Sequence, residues 1–202
     1  MNRKWIGLVG RAGVGKDYTY REINRIDPQA VRIAFADGVR MEVEKALGTD
    51  LGVLYTKPYS DEIRRLLQWW GTDYRREEDP EHWVKVGEDR AALLRGTGRY
   101  PVFTDVRFEN EADLIRDYDG LLVRVVATEE VRKERLGELP PEHASESESD
   151  GIQCDWQIVS DEDNQHYQKT LMGILTASGF NGFDTRDRAA EEAALRGPEV
   201  TD

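Results

Sequence analysis

The sequence contains a single cysteine, Cys154, so no internal disulfide can form and a disulfide-stapled secreted scaffold is excluded. No apolar run approaches the ~20 residues a membrane-spanning helix needs. The start, MNRKWIGLVG, is basic and then apolar, but its apolar part is too short for a signal peptide and runs straight into a glycine motif. Histidine is scarce. His82, His143 and His166 stand far apart, in no metal-ligand spacing. Positive charge is also in deficit: 28 Lys and Arg face 40 Asp and Glu, a net charge of −12. That balance disfavours broad binding to nucleic acid or to an anionic membrane. There is no internal repeat. The 202 residues suffice for one ordinary domain that buries its own core without a metal staple. A cytoplasmic enzyme is the expectation.

Along the chain, short β-branched-rich runs alternate with helical patterns. Trp5–Val9, Val31–Ala36, Val102–Val106, Leu121–Ala127 and Trp156–Ser160 read as strands. Lys16–Ile26 reads as a helix that Pro28 follows. Val39, Val43, Ala46 and Leu47 stripe a second helix. Gly48–Tyr59 is a mixed connection closed by Pro58. Ser60 suits an N-cap, with Ile63, Leu66, Leu67 and Trp70 as a core stripe and Gly71 as the stop. Pro80–Arg95 is a further helix, and Phe108, Ala112 and Ile115 stripe the one after the third strand. Tyr167, Leu171, Ile174 and Leu175 make the last core helix. This alternation predicts a parallel sheet covered on both faces. Glu129–Asp150, charged and carrying Pro140–Pro141, reads as a mobile flap. Residues 1–183 are expected to form the domain, with the flap at 129–150 inside it and 184–202 as an acidic tail.

The chemistry concentrates in a few motifs. Gly10-Arg11-Ala12-Gly13-Val14-Gly15-Lys16 follows a strand and opens a helix, the context of a phosphate-binding loop. Its backbone N–H groups and the helix N-terminus suit phosphate oxygens, and Lys16 suits the β/γ-phosphates. The usual Mg²⁺-ligating Ser/Thr after the lysine is Asp17, with a hydroxyl two positions later at Thr19. Asp17 either holds the ion through water or caps the helix. Asp105 ends the third strand, where it either joins a Mg²⁺ shell or caps the next helix. Arg107 has the fork geometry of a phosphate clamp. Asp37 and Arg40 lie one helical turn apart at a helix start. Gln68 and Trp69 project off the core stripe and suit a nucleobase, while Arg75 and Arg76 suit a phosphate. Arg132 and Arg135 share one face of the flap helix and either stabilise a phosphoryl group or pair with neighbouring glutamates.

Five segments, GRAGVGKD, FADGVR, LLQWWGTDYRREEDPEHW, FTDVRFENEADLI and HASESESD, occur in this order. Together they resemble the phage-type deoxynucleoside monophosphate kinases, within the P-loop nucleoside monophosphate kinase superfamily and near dephospho-CoA kinase. The likeness runs from Trp5 to Phe180. It implies an α/β P-loop NTPase fold in three layers, with a five-stranded parallel sheet, a helical nucleotide-monophosphate region and a lid. It also implies transfer of the ATP γ-phosphate to a deoxynucleoside 5′-monophosphate, with Mg²⁺. On that likeness Gly10–Asp17 bind ATP, and Lys16 holds its phosphates. Asp37, Arg40 and Arg107 surround the acceptor phosphate, and Asp105 and Asp17 lie near the metal. Gln68, Trp69 and Arg76 line the acceptor site, and Arg132 and Arg135 act from the lid. His143-Ala144-Ser145-Glu146 matches a segment near the acceptor, which adds Glu146. Family members often read GKDT, whereas Tyr18 stands at that threonine here.

The partners expected are ATP and a deoxynucleotide, with a homodimer compatible, no stable nucleic-acid complex and no membrane. If the gene is a phage's, the location is the host cytoplasm. Dephospho-CoA phosphorylation is the near alternative. A P-loop switch is a weaker one: Thr56-Lys57-Pro58-Tyr59 fails the guanine-reading pattern, and Asp117-Tyr118-Asp119-Gly120 precedes a strand instead of ending one. A non-catalytic nucleotide binder is suggested only by Asp17. The acidity is uneven. Residues 1–128 hold 21 basic and 22 acidic side chains, and residues 129–202 hold 7 and 18. The expected phosphate-handling body is close to neutral.

Overall fold

The structure, a computed structural model, describes residues 4–48, 52–56, 59–139, 144–161 and 163–180; side chains at 144–147 are not described. The expected tail at 184–202, Pro58, Pro140, Pro141, His143 and the side chain of Glu146 lie outside the described residues.

Five strands form one all-parallel sheet: β1 (Ile6–Val9), β2 (Ala30–Ile33), β3 (Tyr100–Val106), β4 (Leu121–Val126) and β5 (Trp156–Val159). Their order is β2-β3-β1-β4-β5, which puts β1 at the centre. Side chains alternate between the two faces along each strand. Val102 and Val123 therefore join one core and Phe103 and Leu122 the other. The first core is closed by α1 (Lys16–Ile26) and α9 (Asn164–Ala177), with Ile23, Tyr167, Leu171, Ile174 and Leu175 buried as their spacing predicts. The second is closed by α2 (Phe35–Leu47), α5 (His82–Ala92) and α6 (Glu109–Asp117), through Phe35, Val39, Trp83, Ala112 and Ile115. This is the three-layer α/β P-loop fold expected. Among the described residues, no helix is long and apolar enough to cross a membrane.

Two local expectations fail, each for a tertiary reason. The second strand ends at Ile33 instead of Ala36, because helix α2 begins at Phe35. Both carboxylate oxygens of Asp105, on β3, accept the α2 N-terminal amides: Phe35 N–H at 2.9 Å and Ala36 N–H at 2.9 Å. A cap supplied from another strand leaves no local sequence signal.

Gly71 is no stop. Helix α3 (Asp61–Gln68), capped by Ser60 as expected, runs through a π-helical turn (Trp69–Tyr74) into α4 (Arg75–Glu78). Gly71 is small because a Cβ there would meet Val39 Cγ2 at 3.2 Å, and its carbonyl accepts Trp83 Nε1–H at 2.7 Å. No residue of α3 is fully buried, so its apolar stripe is a half-covered wall rather than core.

Beyond β4, in the segment expected to be a flap, α7 (Glu129–Leu136) packs on the glycine loop. It is followed by α8 (Ala144–Gly151).

Candidate active site

The strand ends of the parallel sheet deliver the loop Gly10–Gly15, the start of α2, Asp105–Arg107, α7 and Ser160 to one edge. In open α/β sheets that edge is the ligand crevice. A cleft of about 1040 Å³ lies there. Eight of its lining residues are Lys or Arg (Lys16, Arg21, Arg32, Arg40, Arg64, Arg76, Arg107, Arg135) and four are Asp or Glu (Asp17, Asp105, Glu111, Glu138). A chain of net charge −12 thus presents a cation-rich cleft, as an anionic ligand requires.

The loop owes its shape to its glycines. Gly10 has φ +147°, and a Cβ there would lie 2.4 Å from the Val125 carbonyl oxygen of β4. Gly15, at φ +99°, turns the chain into α1. Lys16 Nζ donates back to the carbonyls of Gly10 and Arg11, the latter at 2.9 Å. Two helices grip the loop from outside. Arg132 Nε donates to Ala12 O at 2.8 Å, and Arg135 Nη1 to Gly13 O at 3.2 Å and to Ser160 Oγ at 2.9 Å. Arg11 pairs with Asp150 of α8 at 2.5 Å, which holds that carboxyl below the usual range.

Thr19 brings no hydroxyl to the cleft: it is fully buried and shares a 2.7 Å hydrogen bond with Tyr167, whose hydroxyl is pushed up to about 12 by burial. Tyr18 lines the cleft and donates to Asn164.

On the acceptor side, the residues sort into three positions. Arg40, Gln68, Arg76, Arg107 and Asp105 line the cleft. Asp37 is not among the lining residues and sits behind them, bonded to Arg40 Nη1 at 2.5 Å and Arg32 Nη1 at 2.8 Å, with Arg90 at 3.7 Å. Arg132 and Trp69 also lie off the lining. Arg132 is buried against the loop, and Trp69 is half exposed, stacked on Tyr74 with ring centres 5.5 Å apart. Trp69, expected at the acceptor site, thus lies in the π-helical turn against Tyr74 and not among the residues lining this cleft. Arg75 likewise faces away, pairing with Glu42 at 2.7 Å. Burial works to raise the Glu42 carboxyl, but hydrogen bonds from Trp70, Arg75 and His82 win and hold it low.

The sequence reading missed several cleft residues. Arg32 looks like an ordinary polar alternation in a strand, and Arg64 like a surface residue of an amphipathic helix. Tyr59 could be found only through its contact with Arg40, where its hydroxyl accepts from Nη2 at 2.8 Å. Glu111 had a signal, its place three residues into a helix. It is fully buried, accepts from Arg107 N–H at 2.7 Å and Phe108 N–H at 3.2 Å, and pairs with Arg76. Burial pushes its carboxyl up to about 7, against the pull of Arg76. Glu111, not Asp105, therefore caps α6.

Asp37, at 2.8 Å, and Asp17, at 3.9 Å, flank the Arg32 guanidinium, and the charge of Asp105 acts on it as well. Burial alone would lower its pKa, but these three carboxylates hold it above its ordinary value. Among the described residues no three His, Cys, Asp or Glu side chains converge as a ready-made cage for a metal. Mg²⁺ asks for less: one or two carboxylates, with phosphate oxygens and water completing the shell. Hard oxygen donors beside a phosphate loop fit that demand.

No family model matches the chain, and no curated protein matches it. Among solved structures, the Thermus thermophilus protein TT1252 superposes with a TM-score of 0.54 at 16% identity, over 89% of this chain and 99% of that one. The shikimate kinase of Aquifex aeolicus gives 0.47 at 16% identity, over 88% and 99%. A gluconokinase of Sinorhizobium meliloti gives 0.49 at 14%, over 98% and 99%. At these identities the likeness is one of fold alone, a three-layer α/β architecture around a parallel sheet.

Proposed function

We propose that this chain is a small-molecule kinase that transfers the ATP γ-phosphate to a deoxynucleoside 5′-monophosphate. One observation carries the reading: a glycine loop with its lysine lines the same cleft as a set of arginines from other elements. Two polyanions must be brought in line and their charge neutralised, and little covalent help is needed from the protein. Gly10–Lys16 would cradle the ATP phosphates, with Arg135 beside them. Arg40 and Arg107 would clamp the acceptor phosphate, with Asp37 holding Arg40 from behind. Gln68 and Arg76 would face the acceptor's nucleoside. Asp17 and Asp105, the two aspartates that line the cleft, are the residues that would hold Mg²⁺, which when bound offsets phosphate charge. An ionised acceptor phosphate requires no general base.

The test is a coupled assay with ATP, Mg²⁺ and each of the four dNMPs, with modified dNMPs and dephospho-CoA in parallel. Diphosphate formed from at least one dNMP is expected. Turnover of dephospho-CoA alone would reassign the acceptor, and tight GTP binding without transfer would favour a switch.

A further inference from the structure

Arg32, on β2, lines the cleft. It meets Asp17 of α1 and Asp37 of α2. Its Nη1 bonds Asp37 at 2.8 Å, and its Nε lies 3.9 Å from Asp17. Asp105 of β3 adds a third field on the same guanidinium. The three carboxylates are not equivalent. Both oxygens of Asp105 are spent on the α2 amides, and Asp37 is shared among Arg32, Arg40 and Arg90. Asp17 is more than half exposed and meets Arg32 at the limit of an ion pair, so this is the contact that yields first. Asp17 also holds the sequence position where a hydroxyl commonly ligates Mg²⁺.

We propose that Arg32 is a positioning residue acting as a built-in counter-cation. It is anchored to Asp37 behind the cleft, neutralises Asp17 without a divalent ion, and competes with that ion for Asp17. The inference rests on the phosphate-and-metal reading of this cleft. It predicts that the nucleotide-free protein binds divalent ions weakly because Arg32 already occupies their electrostatic place. Arg32 stays tied to Asp37 when Asp17 is released, so it remains beside the phosphates.

The experiment titrates Mn²⁺ into the nucleotide-free full chain, following free Mn²⁺ by electron paramagnetic resonance. Arg32→Gln should bind Mn²⁺ roughly three- to tenfold tighter than wild type, as expected from removing one partly exposed ion pair and one repelling charge. Arg32→Lys should stay near wild type. Adding Asp17→Asn to Arg32→Gln should abolish the gain. An unchanged or weaker affinity in Arg32→Gln, or a gain that survives Asp17→Asn, overturns the proposal. A second measurement needs no variant to fold: the Arg32 Nε–Hε NMR resonance of the wild type should shift with millimolar Mg²⁺, and an unmoved resonance overturns it. Failure of the kinase reading would appear as absent turnover, whereas failure here appears in metal binding without nucleotide.

Discussion

Lys16 is the residue on which the kinase reading depends most directly. Lys16→Ala should cut phosphoryl transfer by several orders of magnitude while leaving the melting temperature close to wild type, because Nζ is part-buried and donates to carbonyls of its own loop. A variant that keeps more than a tenth of wild-type kcat would move the ATP site elsewhere. Glu111 makes a different kind of prediction. Its carboxyl is raised by burial from 4.5 to about 7, so the folded state holds the proton more tightly than the unfolded chain does. The stability that this proton contributes is fully present below about pH 4.5 and is lost as pH rises through about 7. Urea unfolding should therefore show wild type gaining on Glu111→Gln by roughly 1–3 kcal/mol between pH 8 and pH 5. A pH-independent difference would mean that Arg76 keeps the carboxyl ionised throughout.

Helix α2 is the element that joins the two ends of the cleft. Its N-terminus is fixed by Asp105, and its next turn presents Arg40. Asp105→Asn leaves only one of the two accepting oxygens. It should cost about 1–2 kcal/mol in stability, within the range of a lost helix cap. The KM for the acceptor should rise more than the KM for ATP, since Arg40 rides on α2 while the glycine loop does not. Equal changes in both would place Asp105 at the metal instead of at the helix. On the other face, Leu171 of α9 is fully buried, and Leu171→Ala should cost about 2–5 kcal/mol without a matching change in either KM. The helices that grip the glycine loop have the charged composition of a flap. Arg132 adds what composition does not show: an arginine can be a buried strut when a loop's carbonyls face it.

For the whole molecule, one cleft is lined by the glycine loop and by Arg40, Arg76 and Arg107, the arginines proposed to face the acceptor. A ligand joining adenosine to a deoxynucleoside through a chain of phosphates should therefore occupy both ends at once. Such a ligand should raise the melting temperature more than ATP alone at equal concentration, since joining the two halves avoids a second entropic cost. No extra shift beyond ATP would mean that the two ends do not accept their ligands together.

The sequence by itself determined the layer architecture, the glycine loop at the end of the first strand, and the faces of α1 and α9. These follow from periodicity and from glycine spacing, which are local and repeat along the chain. It also marked Asp37, Arg40, Asp105 and Arg107 as strand-end residues. The tertiary structure alone decided what each of them touches. Asp105 caps a helix 70 positions earlier in the chain, Asp37 stands behind the cleft, and Trp69 turns out of it. Arg32 became visible only when three carboxylates from three different elements were found around it. The physical reason is range: hydrophobic period and turn chemistry act over a few residues, whereas caps and charge clusters are assembled across the sheet by side chains far apart in sequence.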